Sequence, residues 1–265
     1  MTQFGASLKH WRTQRRMSQL DLGLGADVSA RHISFLETGR SRPSRAMVLQ
    51  LCEELDVPRA ARNAMLNQAG LAAAYEERSL SDEDMAPVQS AIGWMLDRHA
   101  PYPALALDRH WRIVDLNVPA KTLLGALGIG EGGSLVAALI ETPALQEAIA
   151  NLAEVIAHLR HRLRTESAHY GGDTVLDTLE RDLAQIGGQD SGDEATIRPA
   201  FVPTRYRFGG SELSLLSTFA QFGTAEDIAL NELRIELMFP ADEATRLALL
   251  ALSQHPERGS EELHQ

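Results

Sequence analysis

The sequence predicts an all-α N-terminal domain followed by an α+β domain built on an antiparallel sheet. Two observations carry this. The first 70 residues hold five short apolar-periodic segments separated by cap and turn residues, and residues 101–239 hold strand-like runs on either side of a long helical stretch. A chain of 265 residues suits two domains. The expected limits are 1–71 for the first domain, 72–86 for a linker and 87–255 for the second domain.

Each element has its own reason. Phe4, Leu8 and Trp11 recur at helical spacing and predict a helix over about 3–16. Ser18 is placed to cap a second helix, Gln19 to about Leu24, with Leu20 and Leu24 on one apolar face. Ser29 caps a third, over about 30–38, with Ile33 and Leu36 inward and Gly39 as its stop. Pro43-Ser44 opens a fourth, carrying Met47, Val48, Leu51 and Leu55, and Pro58 opens a fifth that ends at Gly70. The polar, acidic run 72–86 reads as the linker.

In the second domain a helix is expected over about 88–98, then strands at 101–107 and 111–115 around the turn Asp108-Arg109. Asn117 caps a helix to about Leu127, and Ser134 opens a short one. A single long helix is expected from Thr142-Pro143 to about Arg164, and another over 174–186. Residues 187–200 are rich in Gly, Asp and Ser and read as a loop. Strands at 201–208, 212–222 and 232–239 and a closing helix at 242–252 complete the domain, with the helices on one side of the sheet.

Charge narrows the function. The chain carries −11 overall, which argues against a polyanionic partner, but the charge is unevenly spread. Residues 1–78 hold 11 Lys and Arg against 8 Asp and Glu, a net of +3, and the remainder is at −14. Within 9–45 there are 8 basic and 3 acidic residues. A locally positive module on an acidic body suits phosphate binding at one end. No run of 18 apolar residues and no basic start followed by an apolar stretch occurs, so a cytoplasmic protein without membrane contact is expected. The lone Cys52 sits in Val48-Leu49-Gln50-Leu51-Cys52 and reads as a buried small hydrophobe.

Ser18-Gln19, the spacing to Val28-Ser29, Glu37, Gly39 and Pro43 together resemble the helix-turn-helix of the XRE family, related to lambda repressor and Cro. The resemblance implies a lambda-repressor-like domain whose second motif helix enters the DNA major groove. Gln19 lies at a helix N-terminus within reach of a phosphate. Ser29, Ala30, Arg31, His32 and Ser34 are the outward candidates of the reading helix, each read either as a base or backbone contact or as a solvated residue. Arg31 has the fork that matches guanine O6 and N7, and Ala30 suits a thymine methyl. Phe35 reads equally as outward or core. Arg40, Arg42 and Arg45 are placed to meet phosphates or to stay as surface charge, and Glu37 is expected to pair with Arg12 or Arg16.

Three further stretches, 103–117, 155–160 and 217–245, resemble the MmyB-like ligand-binding family. That resemblance implies a PAS-like fold with a pocket for a fatty-acid-like or other apolar ligand. Trp94, Trp111, Tyr206, Phe208, Phe219 and Phe222 read as pocket lining or as plain core, and Arg205 and Arg207, flanking Tyr206, read as a carboxylate anchor or as an exposed edge. His158, His161 and His169 lack a Cys or carboxylate to complete a metal site. Gly128 to Gly133 lacks the Gly-Lys-Ser/Thr ending of a phosphate loop. No Gly-x-Ser-x-Gly, kinase set or paired cysteines occur, so no catalytic residue, metal or cofactor is expected and the protein is read as a non-enzyme. The expected partners are an operator in double-stranded DNA, a small apolar or fatty-acid-like ligand and a second copy of the chain. The competing reading makes the second domain a dimerisation or protein-binding scaffold.

Overall fold

The computed structural model describes residues 1–80, 82–125, 128–187, 201–208, 210–222 and 227–254, apart from the side chains of Phe208 and Gln254. The expected loop at 187–200 therefore lies outside the described residues from 188 on, as do Ala126, Leu127 and Gly209. The chain divides into two compact units. The first joins Met1–Glu77 to Arg164–Asp177, and the second holds Arg78–Leu163 and most of the chain after Asp177.

The first unit holds five helices: α1 (Gln3–Gln14), α2 (Gln19–Gly25), α3 (Ala30–Thr38), α4 (Arg45–Glu54) and α5 (Arg59–Gln68). They form because every start is capped or set by proline. Thr2, Ser18, Ser29 and Ser44 each accept a backbone N–H three residues on, and Pro58 precedes α5. Leu8, Leu22, Ile33, Leu36, Leu51, Leu55 and Leu66 are fully buried in one core. Each such side chain contributes about 1.5–3 kcal/mol by leaving water. One sequence expectation is corrected: the inward face of α2 is Leu22, Gly23 and the following Ala26, whereas Leu20 and Leu24 are exposed. Spacing of four picks out a face but not which face the neighbouring helices cover.

Residues 72–75, expected in the linker, are tied to this unit. Asn63 Oδ1 accepts the amides of Ala74 (2.8 Å) and Tyr75 (3.1 Å), and its Nδ2 donates to Tyr75 O at 2.8 Å.

The second unit opens with a 3-10 turn (Glu83–Met85) and α6 (Ala86–Arg98). Strands β1 (Ala104–Leu107) and β2 (Ile113–Leu116) follow, then α7 (Val118–Gly125), α8 (Leu135–Glu141), α9 (Pro143–Ala148), α10 (Leu152–His169) and α11 (Thr174–Ile186). Last come β3 (Thr204–Phe208), β4 (Ser211–Gln221), a short α12 (Ile228–Glu232), β5 (Arg234–Pro240) and α13 (Glu243–Gln254). The strands make one antiparallel sheet in the order β2-β1-β5-β4-β3. This is the expected α+β architecture.

Two details differ from expectation. Helices cover both faces of the sheet: Ile92 and Leu96 of α6 pack with Ala104, Ala106 and Ile235, and the helices α7 to α10 lie over the other face, where the cavity described below opens. The single helix expected at 143–164 is two. At Ile149 the chain turns extended and bridges Tyr206, Ala150 N donates to Arg205 O at 2.7 Å, and Asn151 joins Pro203 O and Arg205 N at 2.9 and 3.0 Å. Leu145, Ile149 and Leu152 keep helical spacing through the break, so periodicity conceals it. The break covers the edge of β3, which would otherwise present unpaired backbone groups.

Helix α10 is continuous across the limit between the units, its last turn belonging to the first. In that unit Arg15 donates to Ala168 O (3.4 Å) and His169 O (3.3 Å), and His10 Nε2 lies 2.6 Å from Gly171 O. The turn into α11 is tied internally by Ser167, which donates to Asp177 at 2.6 Å and accepts from Asp173 N at 2.9 Å.

Candidate nucleic-acid interface and ligand cavity

The α2–α3 turn is fixed by three features. Ser18 and Asp21 cap α2 reciprocally at 3.0 and 2.8 Å. Val28 N donates to Gly23 O at 2.7 Å, and a Cβ on Gly23 would lie 2.4 Å from Val28 O, so only glycine permits this approach. Helix α3 ends at Gly39 with φ +79°, where Arg40 N donates back to Phe35 O at 2.8 Å, closing a Schellman-type stop.

Beneath the turn lies a buried polar lock. Glu37 accepts from Arg12 Nε at 2.6 Å, from Arg12 Nη2 at 3.1 Å and from Gln19 Nε2 at 2.8 Å. Arg12 also donates to Met17 O at 2.8 Å. Both charged residues are buried, so α1, α2 and α3 are held through one carboxylate. Of the two arginines expected to pair with Glu37, Arg12 does so.

The outward face of α3 carries Ala30, Arg31, His32 and Ser34, with Arg31 exposed and the others half-buried. Ser29 uses its hydroxyl to cap His32 N at 3.2 Å. Phe35, undecided from sequence, is half-buried between two cations: the guanidinium carbons of Arg31 and Arg40 lie 5.3 and 5.9 Å from its ring centre. It therefore positions both arginines, a role no single-residue reading of the sequence showed. Arg42 is exposed in the loop after α3. Two of the candidate backbone contacts have partners within this unit. Gln19 has its amide nitrogen on Glu37, and Arg45 donates to Ala72 O and to Ala73 O.

In the second unit a cavity of about 110 Å³ lies between the sheet and the helices over it. One water needs about 10–15 Å³ on this measure, so the space holds several, or a short alkyl chain. Leu124 of α7, Val136 and Leu139 of α8, Leu145 of α9 and Val155 and Leu159 of α10 form the helical wall. Leu215, Met238, Thr204, Tyr206, Ser217 and Glu236 form the sheet wall, and Trp111 joins the lining.

Trp111 sits at φ +62°, a conformation costly for a bulky side chain and held by its packing. Phe219 meets it edge-on at 6.0 Å, and the guanidinium carbons of Arg162 and Arg234 lie 4.7 and 5.0 Å from its ring centre. Arg162 also lies 3.6 Å from the Phe219 ring centre, and Arg234 donates to Asp108 O and Arg109 O at 3.2 and 3.0 Å.

Of the residues expected to line a pocket, Trp111 and Tyr206 do so. Trp94 is 64% exposed on α6. Phe222 packs against the core under α6, on the other side of the sheet, and Phe219 supports Trp111 without joining the lining. Arg205 and Arg207 alternate with Tyr206 and so point away from the cavity. Arg205 pairs with Glu212 at 3.6 Å, and Arg207 donates to Glu147 O. The carboxylate anchor is thus absent from the lining, and Phe208, whose side chain is undescribed, stays outside this account.

The residue missed was Glu236. It is buried, lines the cavity, and its Oε2 has no hydrogen-bond partner among the described residues. Burial pushes its pKa up, against the Ser217 hydroxyl bond and the charges of Arg162 and Arg234, which pull it down. Tyr206 is likewise raised by burial, with the Glu236 charge adding to it.

A second recess of about 340 Å³, lined by residues that include Pro101, Val118, Leu123, Leu249 and Leu252, has only the hydroxyls of Thr122 and Ser253 as polar side chains. Val118 is 65% exposed, so this is a surface groove with no buried group to orient a ligand. Among the described residues no three His, Cys, Asp or Glu side chains gather to hold a metal, and no helix is long and apolar enough to cross a membrane.

Comparison with known proteins gives two family matches. Residues 3–65 match a helix-turn-helix domain, and residues 88–252 match the MmyB-like transcription regulator ligand binding domain. No curated protein matches the chain.

Proposed function

Because the chain belongs to the MmyB-like transcription regulators, with a helix-turn-helix domain ahead of the ligand-binding domain, we propose that it is a cytoplasmic, non-enzymatic homodimer whose operator affinity is set by a small apolar or fatty-acid-like ligand. The chain is a DNA-binding transcription regulator; dimer, ligand and switch are the proposal. The observation that carries the ligand is the apolar cavity with four polar side chains on its sheet wall.

DNA reading is assigned to α3, with Ala30, Arg31, His32 and Ser34 facing bases and Ser29 closing the helix start. Gln19, Arg40, Arg42 and Arg45 are assigned to the backbone, where Gln19 and Arg45 would have to exchange their internal partners for phosphate. One such module touches few base pairs, so two copies on half-sites roughly 34–36 Å apart supply the specificity. Trp94 and Met95, exposed on α6, and the helical segment 143–164 are the candidate dimer surface.

Helix α10 supports coupling between ligand and DNA. Val155 and Leu159 stand in the cavity wall, and the last turn of the same helix belongs to the unit that contains α3. A ligand changes DNA affinity only by its unequal affinity for two arrangements of the protein. The experiment is a thermal-shift screen of fatty acids and other apolar molecules. It is followed by operator titration with any that raises the melting temperature. A ligand that stabilises the protein and shifts operator affinity is expected. A protein that no apolar ligand stabilises, and that sediments as a monomer on DNA, overturns the proposal.

A further inference from the structure

Trp11 of α1 is buried in the core it shares with Ile33 and Leu36 of α3. Against its ring lies the turn between α10 and α11, residues 167–173, which belongs to the first unit although it is far along the chain from the helix-turn-helix match at 3–65. Gly171 makes the contact. A Cβ there would lie 2.5 Å from Trp11 Cζ2 and 2.6 Å from Cη2, and its φ of +85° is itself a glycine conformation. Hydrogen bonds fix the turn in place. His10 Nε2 lies 2.6 Å from Gly171 O. Arg15 reaches the end of α10 at Ala168 O (3.4 Å) and His169 O (3.3 Å), and the α4–α5 connection at Leu55 O and Asp56 O, both at 2.9 Å. The last carbonyls of a helix need such donors, and a cation suits the negative end of its dipole. His10, Trp11 and Arg15 of α1 therefore hold the turn, while Arg12 of the same helix holds Glu37 of α3.

Resting on the reading of α3 as the DNA-reading helix, we propose that the 167–173 turn is a positioning clamp for DNA binding. Gly171 seated on Trp11 holds α1, and through Arg12 and Glu37 the reading helix, in the arrangement that fits the major groove. Operator affinity is then set in part from outside the helix-turn-helix. Helix α10 is continuous from Leu152 to His169, and its Val155 and Leu159 line the cavity. A displacement of α10 thus moves the clamp without altering any residue that faces DNA. Packed contacts of this kind shift between discrete arrangements rather than deforming by degrees.

The test measures affinity for the duplex that the full wild-type chain selects from a random pool. Gly171→Ala sets a methyl group on the indole and weakens binding about tenfold, as overpacking of a filled contact does. Trp11→Phe removes the outer part of the ring, to which Cζ2 and Cη2 belong. Added to Gly171→Ala, it brings affinity to within about threefold of Trp11→Phe alone, a rescue specific to this pair. Amide exchange in α4 and α5 of Gly171→Ala stays at the wild-type level. A Gly171→Ala protein that binds within about twofold of wild type overturns the clamp and leaves the DNA reading standing. A loss that Trp11→Phe does not rescue also overturns it. Exchange protection lost throughout the five helices marks a merely structural contact and overturns it too. A wild-type chain that selects no duplex overturns the DNA reading and the clamp together.

Discussion

Replacing Glu37 with alanine removes the acceptor of three hydrogen bonds, two from Arg12 and one from Gln19. The larger effect is on what remains. Arg12 is 8% exposed, and its guanidinium would keep only Met17 O at 2.8 Å among the bonds to these partners. Breaking a buried ion pair from one side typically costs about 3–5 kcal/mol, because the other charge stays buried. The retained bond to Met17 places Glu37→Ala near the low end, about 3 kcal/mol. Against a typical domain stability of about 5–15 kcal/mol this leaves a weakened but folded unit. Because the chain has two units, a single melting curve mixes them. Hydrogen exchange at the amides of α1 and α3 reads the first unit alone. The double change Arg12→Met with Glu37→Leu should recover most of the loss, since an apolar pair of similar volume carries no stranded charge. A loss below about 1 kcal/mol in Glu37→Ala would refute the reasoning, as would a double variant no more stable than the single one.

Arg31→Ala should cost about 1–3 kcal/mol of operator affinity and relax preference at one base position in a selected-site experiment. Arg42→Ala should weaken all sequences alike and flatten the dependence of log affinity on log salt by about one. Burial pushes the Cys52 thiol up to about 12, so iodoacetamide at pH 8 should leave it untouched in the folded protein and label it in urea. The folded pKa of Glu236 is raised above its unfolded value, so its contribution to stability is fully present below the ordinary carboxyl range and is lost as pH rises through the folded value. Urea titrations at rising pH should show that loss in the wild-type protein, and Glu236→Gln should lack it.

What the sequence made legible follows from local rules. The helices of the first unit are bounded by Thr2, Ser18, Ser29, Ser44, Pro58 and Gly39, and caps act within a few residues, so their positions can be read along the chain. Strand-like runs between turn residues likewise placed the five described strands to within a few residues. Tertiary choices were not legible. Leu20 and Leu24 share a face with helical spacing, yet Leu22 and Ala26 are the ones covered. The break at Ile149 exists because β3 lies beside it, 55 residues on at Thr204.

The cavity shows the same limit. In β5 the apolar residues Ile235, Leu237 and Phe239 alternate with Arg234, Glu236 and Met238, which reads as a strand with a wet face. Helices cover that face, so Glu236 is buried. The arginines flanking Tyr206 drew the eye as an anchor, and the same alternation that puts Tyr206 in the wall turns them away from it. The signal that would have found Glu236 is the pairing of Arg234 with Glu236 on one face of a strand whose neighbour β1 is apolar on both faces.

The central claim is that this chain reads DNA through α3 as a pair of copies. Selection from a random duplex pool, with the bound sequences determined, tests it most directly. An enriched near-palindrome with half-sites about one helical turn apart is expected, with preference relaxed at one base position of each half-site when Arg31 is replaced by alanine. A pool that stays random, with binding that depends on salt alone, would contradict it.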